Sequence, residues 1–244
     1  MTYFKDNKKY WDDCNADYAN VWQSRGRQAM SMRELDFIGR YLSRYSPRMI
    51  LDIGAGTGRI LENLIKFSPE KSEIFGVDVS GRMVDICRDK FKNQNKIRGI
   101  NVCDLSQESV CFNESFDFAT MIRVLKYNKN WREMIKKIYD KLNRGGIFIF
   151  TMPNKMSISV LSGDTFSEKN IPILYVSPKE LKSVLNKIGF RLIELRAFSK
   201  APNFLYHICQ NKVYVKTLIF VEKTLEIILG KSFLGRELFV VCQK

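Results

Sequence analysis

The 244-residue sequence has a single histidine, His207, and six cysteines, at positions 14, 87, 103, 111, 209 and 242, with no Cys-x-x-Cys pair. A structural zinc site needs four closely paired Cys or His ligands, so that class is excluded. A disulfide framework is excluded too, because a chain of this length builds its own core, and the thiols are expected reduced and mostly buried. Apolar runs such as Leu218–Val221 stop at about five residues, far short of a membrane span. The opening MTYFKDNKKYWDD has no apolar stretch followed by small residues, so no export signal is expected and the sequence reads as cytoplasmic. Blocks of five or six like charges are also absent, although 40 Lys and Arg stand against 26 Asp and Glu for a net charge of +14. That surplus is either spread over a solvated surface or directed at an anionic partner.

What is present is alternation. Met49–Ile53, Ile74–Val79, Ile97–Cys103, Phe116–Ile122 and Ile147–Met152 are short apolar runs of strand length. Between them, Ile60, Leu61, Leu64 and Ile65, then Met83, Val84, Cys87 and Phe91, then Trp131, Met134, Ile135, Ile138 and Leu142 form helical stripes, the last closed by the glycine stop Asn143-Arg144-Gly145-Gly146. Strands alternating with helices predict a parallel sheet covered on both faces, with ligands bound beyond the carboxyl ends of the strands. Residues 1–46 read as an N-terminal helical cap, 47–153 as the core, 154–176 as a lid without clear period, and 177–244 as a C-terminal part with a cap insertion at 200–234, all one domain. Within that insertion, Asn211–Gly230 carries Val213, Val215, Leu218, Ile219, Val221, Leu225, Ile228 and Leu229 together with Lys212, Lys216 and Lys223. It fits a packed cap helix or a helix lying on an anionic membrane.

The unusual residues fall just after the strands. Asp52-Ile53-Gly54-Ala55-Gly56-Thr57-Gly58 joins a strand to a helix, and its alternating glycines permit a tight turn and close approach to a ligand. A dinucleotide loop, G-x-G-x-x-G, would place glycine where Arg59 stands, and no Gly-Lys-Ser/Thr follows, so neither that site nor a phosphate loop is expected. Asp78 ends the second strand, where a carboxylate can accept from a ribose diol. Asp104-Leu105 ends the third, where a carboxylate beside an apolar side chain suits an adenine. Together the three strand ends outline a nucleoside-shaped site.

On these residues the chain resembles the class I S-adenosylmethionine-dependent methyltransferases. Ile50–Gly58 is similar to their glycine-rich first motif, Phe75–Asp78 to the second, and Phe116-Asp117-Phe118 and Leu142–Gly146 to later ones. The resemblance implies a Rossmann-like, doubly wound, seven-stranded, mostly parallel α/β sheet with helices on both faces and an antiparallel closing strand. It implies S-adenosylmethionine as cofactor, S-adenosylhomocysteine as product, and a cofactor site drawn from Asp52, Gly54, Ala55, Gly56, Gly58, Asp78, Val79, Met83, Asp104, Leu105, Ile122 and Arg123. Met32–Ile38 is similar to a segment of the quinone-type members, which implies that Arg33 meets the cofactor carboxylate.

The implied reaction is an in-line displacement, for which the protein chiefly aligns donor and nucleophile and excludes water. His207 and Tyr18 are the candidate general bases, with Tyr10, Tyr127 and Asp164 as further possibilities. The expected acceptor is a small molecule or a glycan- or lipid-linked group, methylated on oxygen or nitrogen. RNA is the alternative favoured by the charge, and a cofactor-binding protein without catalysis is a third reading. No RNA-binding module or Asn/Asp-Pro-Pro-Tyr motif accompanies the basic surplus. No metal is expected: where metal-using relatives carry carboxylates and a histidine, this sequence has Arg123-Val124-Leu125-Lys126-Tyr127, and two cations with a phenol are poor ligands for magnesium. Methyl transfer is therefore expected to proceed unchanged in EDTA. Loss of turnover in the chelator, restored by added magnesium, contradicts that expectation.

Overall fold

The computed structural model describes residues 7–13, 24–161, 173–201, 205–206, 211–232 and 234–244. Helix α1 (Asn7–Asp13) and the long α2 (Arg25–Tyr45) precede β1 (Met49–Ile53), α3 (Arg59–Phe67), β2 (Glu73–Asp78), α4 (Gly81–Phe91), β3 (Ile97–Val102) and β4 (Phe116–Met121). A 3-10 turn (Leu125–Tyr127) leads to α5 (Trp131–Lys141) and β5 (Leu142–Pro153). The short α6 (Ile158–Leu161), α7 (Pro178–Ile188), β6 (Arg191–Phe198), α8 (Lys212–Leu229) and β7 (Glu237–Gln243) follow. The strands form one seven-stranded sheet in the order β3-β2-β1-β4-β5-β7-β6. β7 is antiparallel to both of its neighbours, and the other pairings are parallel. This is the expected Rossmann-like architecture.

Side-chain alternation along the strands divides the core into two layers. Leu51 and Ile53 of β1 point into one, with Trp131, Met134, Ile135 and Ile138 of α5 and Leu181 and Leu185 of α7. Ile50 points into the other, with Phe37, Ile38 and Leu42 of α2, Leu61 and Leu64 of α3 and Val84 of α4. Phe37 anchors α2 by edge-on contacts with Phe198 of β6 and Phe239 of β7. Helix starts are fixed by side chains that accept orphan amides: Ser24 from Arg27 N, Ser80 from Met83 N, and Ser177, ahead of Pro178, from Glu180 N.

Three points add detail to the expectations. The glycine stop at 143–146 lies inside β5: α5 ends at Lys141, and pairing with β4 jumps from Phe116↔Leu142 to Phe118↔Ile147. Glycine is required there for room, since a Cβ on Gly146 would lie 2.9 Å from the Asn143 carbonyl oxygen. The expected lid at 154–176 is tied at both ends, by the parallel bridge Asn154↔Val176 and the turn of α6, while 162–172 lie outside the described residues. The third point concerns α8, which turns its polar side inward. Glu222 accepts from the Tyr206 hydroxyl and from Ala201 N (2.7 Å), and Glu226 takes Arg196 at 2.6 Å. Arg33 of α2 bridges both carboxylates, at 3.4 Å to Glu222 and 2.8 Å to Glu226.

Removing one member of a buried ion cluster leaves its partners desolvated and unpaired. Glu222→Ala is expected to lower unfolding free energy by roughly 3–5 kcal/mol, measured by urea titration with an unchanged slope. A loss below about 1 kcal/mol, the range of an exposed pair, would show that the cluster does not hold α8 in place.

Candidate functional site

A cleft of about 800 Å³, counted with its open mouth, lies beyond the carboxyl ends of β1, β2, β3 and β4. The loop after β1 forms its floor. Gly54 N and Ala55 N both donate to Val77 O, at 2.8 and 3.0 Å, which bends the chain over the end of β2. Gly54 (φ 73°), Gly56 (φ 53°) and Gly58 (φ 91°) are left-handed. A Cβ would lie 2.1 Å from Val124 Cγ2 at Gly54 and 2.2 Å from Phe91 Cε2 at Gly58, so both are closed to side chains. Gly56 meets nothing within 4 Å: its open face belongs to the cleft.

Asp78 ties this loop to the next strand end. Its Oδ2 accepts from Gly56 N at 2.8 Å and its Oδ1 from Ser80 N at 3.0 Å. Burial raises the Asp78 pKa, and the amides of Ser80, Gly56 and Val79 oppose that shift by bonding the charged form. Asp52 sits below the loop rather than in the cleft. Its Oδ1 accepts from Thr120 Oγ1 at 2.7 Å across β4, while the buried Oδ2 has no hydrogen-bond partner. Burial pushes its pKa up to about 7, against the Thr120 bond and the charge of Arg59.

Val79 and Met83 form one wall, Cys103, Asp104 and Leu105 the next, and Ile122, Arg123 and Val124 the third. The Asp104 carboxylate also caps its own turn, with Oδ1 accepting from Ser106 N and Oγ at 3.0 and 2.6 Å. Burial pushes the Cys103 thiol up from its ordinary range, which disfavours the nucleophilic thiolate. Arg123 is left-handed (φ 63°) at the end of β4. Its amide donates to Thr151 Oγ1 at 2.8 Å, and its guanidinium spans Glu237 (3.1 Å) and the buried Glu34 of α2. Glu34 also takes Arg59 at 3.4 Å.

The structure thus brings together Gly54, Gly56, Asp78, Val79, Met83, Asp104, Leu105, Ile122 and Arg123 on one cleft. Asp52, Ala55 and Gly58 shape its floor from behind. Arg33 departs from its expected role, because its guanidinium is held by Glu222 and Glu226 under α8. It is the adjacent Glu34 that reaches the cleft side, through Arg123. Tyr18, His207 and Asp164 lie outside the described residues. The sequence reading did not assign Trp11, Asn128 or Met134 to the cleft, and it took Tyr127 only as a candidate base. Trp11 lines the cleft from α1: it meets the Tyr127 ring edge-on at 5.5 Å, while neighbouring Asp12 accepts from Ser80 Oγ at 2.7 Å. Two aromatic rings separated by more than a hundred positions give no local signal of contact. Among the described residues, no group of three or more His, Cys, Asp or Glu is placed to hold a metal ion.

Residues 23–195 match the family model described as a methyltransferase domain. The chain is 28% identical over 171 residues to a ubiquinone/menaquinone biosynthesis C-methyltransferase of Wigglesworthia glossinidia brevipalpis, covering 58% of this chain and 66% of that relative's length. It is 27% identical over 220 residues to a malonyl-[acyl-carrier protein] O-methyltransferase of Bacillus cereus, covering 89% of this chain and 71% of the relative. A solved structure from Thermotoga maritima, a possible histamine N-methyltransferase, superposes with a TM-score of 0.67 at 18% identity and covers 97% of this chain and 99% of its own. With the family model spanning most of the chain, and the glycine loop and strand-end carboxylates gathered on one cleft, the chain belongs to the class I S-adenosylmethionine-dependent methyltransferases.

Proposed function

We propose that the protein methylates an oxygen or nitrogen of a small-molecule or glycan- or lipid-linked acceptor, without a metal. The observation that carries this reading is the make-up of the cleft. The touching rings of Trp11 and Tyr127 line it, its walls are mostly apolar, and Arg123 is the one cation among its described lining residues. That cation is already matched by Glu34 and Glu237, so the cleft offers little to a polyanion. A compact, poorly hydrated acceptor suits it better than an RNA strand. Of the two named relatives, the malonyl-carrier enzyme is an O-methyltransferase and supports the oxygen acceptor, whereas the quinone enzyme is a C-methyltransferase.

The residues present fit the cofactor. The Asp78 carboxylate is held at a strand end, where it can accept from ribose hydroxyls. The open face of Gly56 leaves room for the amino-acid portion beside Gly54. Asp104 and Leu105 offer a carboxylate and an apolar wall to the adenine, and Ile122 and Arg123 face them across the cleft. When bound, the cofactor supplies an electrophilic methyl group on a sulfonium. The chain's own part is to fix the orientation of donor and acceptor and to keep water out, which Trp11 serves by bridging from α1 to Tyr127. His207 and Tyr18 remain the proposed bases for an acceptor that needs deprotonation.

Two measurements test this reading. Asp78→Ala is expected to weaken S-adenosylhomocysteine binding by roughly 10- to 150-fold, the loss of charge-assisted bonds worth ~1.5–3 kcal/mol. Calorimetry on the folded variant reads it, and an unchanged affinity would make Asp78 a loop tie alone. For the acceptor class, a methyl-labelled cofactor is incubated with the separated small-molecule, lipid and RNA fractions of a cell extract. Label is expected in the first two, and label released only by ribonuclease overturns the proposal.

A further inference from the structure

Helix α8 is amphipathic in the reverse sense. Its two carboxylates, Glu222 and Glu226, are buried, while Val213, Phe220, Ile227 and Ile228 are 70%, 69%, 84% and 70% exposed. Tyr214 and Val221 are exposed as well. Positions 213, 220 and 227, and 214, 221 and 228, recur every seven residues, so at roughly 100° per residue they fall on one side of the helix. The apolar arc is about 140° wide by the same count. One border is Tyr214, and the other is the row Lys212, Lys216 and Lys223, all exposed, with exposed Lys231 following the helix.

Two threonines lie within the arc, and their hydroxyls need nothing from outside. Thr217 Oγ1 donates to Val213 O at 3.1 Å and Thr224 Oγ1 to Phe220 O at 3.0 Å. With both hydroxyls paired inside the helix, the face can enter an apolar phase without an unsatisfied donor. The buried cluster that grips the other side, with Arg33, Arg196 and Tyr206, keeps the helix from rolling its apolar face inward.

We propose that this outer face of α8 docks the protein on the surface of an anionic lipid membrane. The apolar arc enters the headgroup boundary, to a depth of about 5–10 Å. The lysine row reaches the lipid phosphates, and Tyr214 lies at the opposite border, where amphipathic rings favour the interface. Charge selects this occupant over a second copy of the chain. An antiparallel symmetric pair would place the lysine rows of two α8 helices near each other, and a parallel pair would set each row against the partner's Tyr214 border; in neither can the buried helix carboxylates answer them. No described helix is long and apolar enough to cross a membrane, so the contact is peripheral. The inference goes beyond the methyl acceptor and does not rest on it, because lipid binding is read without turnover.

The test is cosedimentation of the full chain with phosphatidylcholine vesicles, pure or with roughly a third phosphatidylglycerol. Binding is expected to the anionic vesicles, to weaken with salt, and to be slight on the neutral ones. K216E/K223E and F220S/I227S are each expected to cut partitioning at least about tenfold while S-adenosylhomocysteine affinity stays unchanged. Failure of the parent chain to bind, or equal binding by both variants, overturns the proposal. Self-association in light scattering that F220S/I227S abolishes, with no vesicle binding, assigns the face to a second copy and overturns it as well.

Discussion

The site depends on one tie, the hydrogen bond from Gly56 N to the Asp78 carboxylate. With Val77 O holding Gly54 N and Ala55 N, it bends the loop after β1 across the end of β2. The loop could not take this path with side chains at Gly54 or Gly58, because Val124 and Phe91 fill the space. Burial raises the Asp78 pKa, and the amides around it oppose that shift by bonding the charged form. A buried carboxyl group and a run of glycines, which lose more conformational freedom on folding than other residues, each cost stability, yet here each supports the other. The same arrangement leaves Gly56 bare toward the cleft, so the loop that is tied down on one side is open for a ligand on the other.

A second set of charges joins the cleft to the far side of the molecule. Arg33 and Glu34 are consecutive on α2, so they point in different directions. Arg33 goes to Glu222 and Glu226 of α8, and Glu34 goes to Arg123 and Arg59 beside the cleft. Helix α2, itself wedged by Phe37 against Phe198 and Phe239, is the rigid element between them. Any shift of α8 along α2 must break ion pairs that are shielded from water, where they are strongest.

The parts of the molecule that were legible in the sequence are those with local chemistry. Glycines at 54, 56 and 58 between an apolar run and a helical stripe, and aspartates at 78 and 104 closing strands, state their roles within a few residues. The parallel core followed from hydrophobic period alone, because strands covered on both faces are continuous apolar runs. What stayed hidden depends on partners distant in sequence. The fate of Arg33 was decided by carboxylates 189 and 193 positions away. The face of α8 was misleading for the same reason. Its apolar residues fit a packed cap, yet the structure buries Leu218 and exposes Val213, Val221 and Ile228, because Glu222 and Glu226 found cations and a phenol underneath. Trp11 entered the cleft only through a contact between the first helix and the turn after β4.

The place of β7 bears on how the molecule is made. It is the last of the seven strands in sequence, yet it lies between β5 and β6, fully paired on both edges. Until Glu237–Gln243 has been synthesised, β6 has no strand to join, β5 keeps a bare apolar edge, and Phe37 lacks its contact with Phe239. The first five strands can assemble as the chain emerges, since each pairs with a neighbour already made or soon to follow. The remaining third of the protein must wait, with exposed edges, for a single late segment. A nascent chain of this design is most exposed to mispairing just before its synthesis reaches β7, and that interval is when a chaperone would have most to protect.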